Sequence, residues 1–457
     1  MWLLSWYFAA AAAKVVFVAE VCRHGSRAPT NPKLCPWDQD GRWDNDWGEL
    51  TSVGMRMHFL LGRELRQRYI INQPTFGPEF NGTEIYVRST DFNRTIMSAQ
   101  SQLMGLFPPP TGPTLSDSMG DVAVPPITVQ KEVDIVNALQ NRALPFQFQS
   151  FPVHVVPLTD DWVLFATFTC YRLQEAIENP IYSEMTTNIT NSNPYFLTAL
   201  QSFTNLPAQE VADNLADIID SIQCNQAMGF PLPASTPQLL ENATVIGNEL
   251  FSIYYANDLL VRYFSAWFFL DLAEHFEAVM QGTEPTKFRL YSAHDGTLAG
   301  FLAGLQVYDN KQPPFASSLI FEVSETNGDF SIRILYNDVP LAIGPCSLTE
   351  CPLLAFIDYL YMRSFASEDV CLPPSSNPWS DMTNGGTDSI MPAGGSDQLK
   401  WEAWVAIAFC VFAILAVTGA CIVSKDCKAE TAYRQMDDLG SSSSSMPQTK
   451  VVNLPNP

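Results

Sequence analysis

Apolar positions along this chain fall into two periods, and candidate chemistry sits where one gives way to the other. The run Val15 to Cys22 is almost wholly apolar, as expected of a central strand covered on both faces. It leads straight into Arg23-His24-Gly25-Ser26-Arg27-Ala28-Pro29, after which the Pro-, Asp- and Trp-rich stretch to Asp46 reads as a loop. From Leu50 onward, Met55, Phe59, Leu60 and Leu65 recur at helical spacing and predict a helix ending near Tyr69, with His58 as a structural residue on it. Ile85 to Val87 predicts a short strand running into the polar turn Arg88 to Thr95, with a helix from Ile96 to Leu106 behind it. Phe288 to Thr297 repeats that strand, turn and helix start around His294 and Asp295. Leu319 to Val323 and Phe330 to Tyr336 alternate about Thr326-Asn327-Gly328, as in a hairpin.

Strands followed by helices predict an α/β protein with a doubly wound, mostly parallel sheet, built from 14–145 and 245–372. Residues 146–244 lack strong strands and read as an inserted helical cap, with helices at Tyr195 to Phe203 and Val211 to Gln223. A long helix is expected from Leu250 to Val279, broken by Gly282 and Pro285.

The two ends change the picture. Residues 1–13 are apolar and end in alanines, which reads as a secretory signal without its usual basic start; an apolar extension of the first strand is the alternative. Residues 373–400 are rich in Pro, Ser, Asn and Gly and read as a stalk. Ala403 to Val423 is an uncharged run of 21 residues with Trp401 and Trp404 at one border, enough to cross ~30 Å of hydrocarbon. Lys425, Lys428 and Arg434 follow, which puts the tail 424–457 in the cytosol and the body in the lumen or outside the cell, a type I anchor. The expected location is the lysosomal or endosomal system or the cell surface. Tyr433-Arg434-Gln435-Met436 has the spacing of a sorting signal read by an endocytic adaptor, or carries its tyrosine by chance.

Charge and cysteines agree with an extracytoplasmic body. The net charge of −23, with only 25 basic residues, leaves no basic patch for nucleic acid and suits solubility in acid. Cys346 and Cys351 close a tight loop, and an odd count of seven cysteines before the membrane run leaves at least one free or intermolecular thiol. Asn81, Asn188 and Asn242 are candidate glycosylation sites, whereas a glycan on Asn93 would block the turn beside it. No internal repeat, phosphate-binding glycine loop or metal-ligand cluster is evident, so neither metal nor cofactor is expected.

A histidine between two arginines at a strand end calls for an anion, because the like charges repel unless one sits between them. Arg23-His24-Gly25-x-Arg27-x-Pro29 and Tyr291-Ser292-Ala293-His294-Asp295-Gly296-Thr297 resemble the two motifs of the histidine acid phosphatase family, in its prostatic and lysosomal branch. The resemblance runs from about Val15 to Cys371. It implies hydrolysis of small phosphomonoesters in acid through a phosphohistidine on His24, with Asp295 as proton donor and Arg23, Arg27, Arg94 and His294 holding phosphate. Arg88 is the competitor of Arg94, its other role being support of the loop through a carboxylate such as Asp91. The resemblance also implies a Cys170–Cys371 bridge. A further family bridge to Cys224 lacks its partner, since Ser318 stands there, leaving Cys22, Cys35 and Cys224 unassigned. Homodimers are common in the family, although no stretch here demonstrates one. His-Asp rather than His-Ala-Glu favours a broad phosphomonoesterase over phytase-like relatives. A specialised lipid- or inositol-phosphate phosphatase and an inactive receptor-like ectodomain are the rival readings.

Overall fold

A computed structural model describes residues 13–364, apart from short stretches at 32–33, 40, 44, 120–121, 128–131, 233–235 and 347–349. Residues 1–12, Cys371, the stalk, the membrane run and the tail with Tyr433 lie outside the described residues. Among those described, no helix is long and apolar enough to cross a membrane.

Eight strands form one sheet: β1 (Lys14–Arg23), β2 (Ile85–Thr90), β3 (His154–Val156), β4 (Phe288–Ala293), β5 (Ser318–Thr326), β6 (Asp329–Tyr336), β7 (Val339–Pro340) and β8 (Cys351–Pro352). Their order is β3-β2-β4-β1-β5-β6-β7, with β8 also on β6. The sheet is mixed, which corrects the expectation of a mostly parallel one. Pairs β3/β2, β2/β4 and β4/β1 are parallel, while every pairing from β1/β5 outward is antiparallel. β5 already enters antiparallel to β1, and the hairpin after it, whose Asn327 and Gly328 both adopt positive φ, 55° and 91°, folds the chain straight back into β6 instead of crossing over. His154–Val156 pairs with β2, so the first residues of the expected 146–244 insert belong to the sheet.

On one face lie α1 (Ser52–Arg66) and α2 (Asn93–Leu106), meeting Val18, Cys22, Ile85, Val87 and Leu290. Thr51 caps α1, its hydroxyl accepting the Gly54 N–H at 3.2 Å. The helix runs on through a π turn to Asn72, beyond the expected end, and buried Tyr69 there donates to Glu322 at 2.6 Å. After α3 (Glu132–Leu139), eight α-helices lie between β3 and β4 among the described residues, the first seven being α4 (Ala166–Thr169), α5 (Tyr171–Ile177), α6 (Pro180–Ser192), α7 (Pro194–Thr204), α8 (Ala208–Asp213), α9 (Leu215–Met228) and α10 (Pro237–Ser252). The expected helix Val211 to Gln223 is interrupted at Asn214, and α10 carries the helical layer past residue 244. The expected Leu250 to Val279 helix is also two. Asn257 breaks it, its side chain accepting the N–H groups of Leu259 and Leu260 to start α11 (Asp258–Met280). Together with α12 (Asp295–Gly304) and α13 (Leu353–Ser364), α11 covers the other sheet face, packing on Phe17, Ala19, Val21 and Tyr291. Cys346 and Cys351 are joined, holding β8 beside α13. Cys170 is disulfide-bonded, and its expected partner Cys371 is outside the described residues.

Glycines set how closely α1 and α2 approach. A Cβ on Gly62 would lie 1.9 Å from the Gln102 carbonyl oxygen, a backbone atom that cannot swing away. Gly62→Ala is therefore expected to lower the melting temperature, the overpacking cost of roughly 1–3 kcal/mol exceeding the ~1 kcal/mol that alanine gains in a free helix. A variant melting at or above wild type would show that the two helices can part.

Candidate active site

Three parallel strand ends adjoin in the sheet, and each delivers a candidate group. Arg23 of β1 is level with Ala293 of β4, and Ser89 of β2 is level with Ser292 of β4. Their C-terminal ends open on one edge, where ligands bind in sheets of this kind. The turn after β1 is held from all sides. His24 N–H donates to the Ala293 carbonyl at 3.0 Å, Ala316 N–H donates to the His24 carbonyl at 3.1 Å, and Thr51 hydroxyl donates to the Ser26 carbonyl at 2.9 Å. Gly25 packs so tightly on α1 that a Cβ would come within 2.4 Å of the Gly54 carbonyl oxygen, which requires glycine there.

His24 is buried, and its Nδ1 lies 2.9 Å from the Gly25 carbonyl oxygen. A carbonyl only accepts, so the ring proton sits on Nδ1 and Nε2 keeps its lone pair. Burial, then Arg94 and Arg23, push the imidazole well below its ordinary range, so the ring stays neutral in acid. His294 caps α12 with its ring 5.5 Å from that of His24. Its Nε2 donates to the Thr90 hydroxyl at 3.0 Å, because the Thr90 proton is given in turn to Thr95.

The arginines have unequal company. Arg23 pairs with Asp295 at 2.9 Å, donates to the Pro313 carbonyl at 2.5 Å and stacks 4.0 Å over Phe315. Arg27 makes a two-pronged contact with Asp220 of α9, at 2.8 and 2.9 Å, and reaches the Cys224 sulfur at 3.4 Å. Arg94 lies against the Phe92 ring and faces the cavity, and its Nε finds no acceptor. Burial and the neighbouring Arg27 pull its pKa down, yet arginine keeps its proton in proteins, so the charge stands waiting for an anion. Arg88 is occupied elsewhere. It pairs with buried Asp161 at 2.6 Å rather than with Asp91, and it does not line the cavity.

Asp295 opens α12, accepting the Gly296 N–H and the Gln312 side chain, each at 2.8 Å. Burial raises its pKa, but Arg23, Gln312 and Arg27 together outweigh burial and hold the carboxyl below its ordinary value. Among the described residues, no group of three or more His, Cys, Asp or Glu could hold a metal ion.

Residues 14–337 match the model of the histidine phosphatase superfamily (branch 2). The chain belongs to this superfamily. Lysosomal acid phosphatase of Homo sapiens is 31% identical to it over 346 residues, 74% of each chain. Prostatic acid phosphatase of the same organism is 27% identical over 359 residues, 76% of this chain and 85% of that one. A phytase from Hafnia alvei solved with tartrate shares the fold, with a TM-score of 0.56 at 15% identity over 80% of this chain and 100% of that one.

Several residues around this histidine phosphatase's cavity were not legible beforehand. Asp220, Gln312 and Thr90 each lie far in sequence from the group they hold. The signal available for Asp220 was a pair of carboxylates, Asp217 and Asp220, in the largely apolar stretch Leu215 to Ile222. The loop after the signature is tied to that same helix: Trp37 donates to Ser221 at 2.9 Å, and Ser221 and Asn225 donate to Asp38 at 2.5 and 2.8 Å. Cys22, Cys35 and Cys224 are buried free thiols. Ser318, standing where a cysteine was expected, donates its hydroxyl proton to Glu20 at 2.7 Å.

Glu20 is fully buried on the α1 and α2 face of β1, three residues before Arg23. Burial, opposed by hydrogen bonds from Ser318 and Gln102, raises its pKa to about 7. His58, pushed down to about 4 by burial, is neutral. Its Nε2 donates to the Arg23 carbonyl at 3.0 Å, which leaves a lone pair on Nδ1, 3.0 Å from the Gln102 amide. The two ends of an amide have the same shape; as placed, Nε2 faces Glu20 at 2.6 Å and Oε1 faces His58, and exchanging them lets the amide offer N–H to His58 and its oxygen to the protonated carboxyl of Glu20. His58 is thus structural, as expected, and acts on the backbone of the signature itself.

Two outcomes follow from these contacts. The folded Glu20 keeps its proton to about pH 7 while the unfolded one loses it near 4.5, so stability is greatest in acid and declines as pH rises between those values. The loss is on the order of 3 kcal/mol, and Glu20→Gln should abolish it in denaturant titrations at pH 4.5 and 7.5; an unchanged difference would refute the protonated carboxyl. Asp220→Asn, keeping shape but losing charge, should raise the inhibition constant of inorganic phosphate or leave it within twofold while loosening Arg27; a tenfold tightening would show that Asp220 competes with phosphate instead of aiming Arg27.

Proposed function

We infer that this chain hydrolyses phosphate monoesters in acid through a covalent phosphohistidine on His24. One observation carries the reading: three guanidinium groups stand around a neutral imidazole, two of them in ion pairs with carboxylates, and the third, Arg94, which has no ion pair among the described residues, faces the cavity. A phosphate dianion meets that demand, and Arg23, Arg27 and Arg94 supply fixed positive charge where its oxygens gain negative charge. The lysosomal and prostatic acid phosphatase relatives support the same chemistry.

In the first step His24 Nε2 attacks phosphorus; the P–N bond forms as the bond to the leaving alcohol breaks. Asp295 gives its proton to that alcohol. In the second step the Asp295 carboxylate takes a proton from water, whose oxygen attacks phosphorus and frees the His24 ring along with inorganic phosphate. His294, tied at Nε2 to Thr90, has Nδ1 left to bind a phosphate oxygen once the incoming anion favours its protonation. Acid dependence has a physical source. Asp295 is held ionised by Arg23, and an arriving dianion both shares Arg23 and repels the carboxylate, raising its affinity for the proton it must donate. His24, depressed by the same arginines, needs no deprotonation over that range.

The run 403–423 and the charges after it support a type I membrane anchor, and the lysosomal relative's name supports an acidic destination.

The test is hydrolysis of 4-nitrophenyl phosphate and of an alkyl phosphate from pH 4 to 8. His24→Ala should lose at least a thousandfold in kcat on both, and an alkaline quench, in which the P–N bond survives, should trap radiolabelled phosphate on wild-type protein only. Asp295→Ala should lose on the order of 10²–10⁴ on the alkyl ester and much less on the nitrophenyl ester, whose leaving group needs no proton. Equal losses on both esters would remove Asp295 from the donor role, and an active His24→Ala would end the phosphohistidine mechanism.

A further inference from the structure

Beside the Arg23–Asp295 pair lies a second cavity, of about 450 Å³, bordered by α9, α10, the loop after α12 and the end of β6. Gln223 and Gln312 border both this cavity and the one in front of His24. Arg23 borders it too; that residue is 4% exposed, and its Nε finds no acceptor. The two cations here are already matched in charge, Arg23 by Asp295 at 2.9 Å and Lys311 by Asp309 at 3.2 Å. Amides supply most of what remains. Gln223 and Gln226 make no side-chain hydrogen bond among the described residues, and Asn248 accepts the Gln312 N–H at 2.9 Å, which leaves its NH2 end unpaired. Phe315 and Tyr336 add aromatic rings to the wall.

This lining selects by chemistry. An anion would find only cations already neutralised, and an apolar ligand would strip water from the amides without returning a bond. A sugar ring meets both conditions: its hydroxyls donate and accept as amides do, and its C–H face packs on aromatic rings. We propose that the second cavity binds a neutral sugar ring, free or at the end of a glycan, and that the occupant acts on Asp295 through Gln312. Occupancy is independent of the phosphatase reading, whereas the action on Asp295 rests on it. Gln312 is the link. Its Nε2 donates to the Asp295 carboxylate at 2.8 Å, while its Oε1 is unpaired among the described residues. A sugar hydroxyl donating to that oxygen polarises the amide and strengthens its bond to the ionised carboxylate, so Asp295 holds its proton less firmly.

Binding is read first, without substrate. The full-length chain is titrated with the methyl glycosides of glucose, mannose, galactose and N-acetylglucosamine, with sorbitol, and with a trisaccharide ending in each sugar, using saturation-transfer difference NMR. At least one glycoside should bind with a Kd on the order of 1 mM, and sorbitol, which has no ring, about tenfold more weakly. A trisaccharide about tenfold tighter than its glycoside would point to a glycan as the source, and equal affinities to the free sugar; both support the site. Gln226 is exposed on α9 and apart from the catalytic groups. Gln226→Trp should fill the cavity and abolish binding with ester hydrolysis in the absence of sugar unchanged, and Gln226→Ala should weaken binding about fivefold, the loss of one hydrogen bond. No binding of any sugar at roughly 50 mM, sorbitol equal to the glycosides, or binding untouched by Gln226→Trp would overturn the site. With the site filled, the limb of the alkyl phosphate pH profile where the proton donor ionises should move to lower pH by about 0.3 unit, a twofold change. A limb that stays put under saturating sugar would overturn the action on Asp295 alone. A chain that binds sugar and hydrolyses no ester would sink the phosphatase reading and leave the sugar site standing.

Discussion

Like charges held together away from water are costly, and here Arg23, Arg27 and Arg94 surround one imidazole. Two of them are offset by carboxylates, Asp295 and Asp220, brought from α12 and α9. The third is not. Burial together with these charges keeps His24 neutral, and Arg23 holds the Asp295 carboxyl below its ordinary range. Rigid surroundings are needed to maintain this arrangement. The parallel strands β1, β4 and β2 set the spacing of the groups, and the Gly25 to Gly54 contact fixes the turn against α1.

The cap is part of that scaffold as well as a cover. Asp220 reaches down to Arg27, while Trp37 and Asp38 from the loop after the signature bind Ser221 and Asn225 on the same helix. Movement of α9 would therefore disturb Arg27 directly. The same helix contributes Ile219 to the lining of the cavity.

Beneath the turn, Glu20, Gln102 and His58 form a buried chain from β1 through α2 to α1 that ends on the Arg23 carbonyl. With Glu20 protonated and His58 neutral the chain carries no net charge and every proton has an acceptor. Such an arrangement is most stable in acid, where Glu20 keeps its proton.

The sequence alone determined the local events: that strands precede His24, Arg94 and His294, although β2 runs on to Thr90 past its expected end at Val87, and that Asn327-Gly328 turns a hairpin. Period, turn chemistry and helix-starting residues act over a few neighbours and are written in order along the chain. Only the tertiary structure decided that the sheet is mixed, that Arg88 belongs to Asp161 and Arg94 to the cavity, that Asp220 sits on Arg27 193 residues away, and that Glu20 stays protonated. Each depends on which distant segments meet and on how much water they exclude, and neither pattern nor spacing along the chain encodes a dielectric.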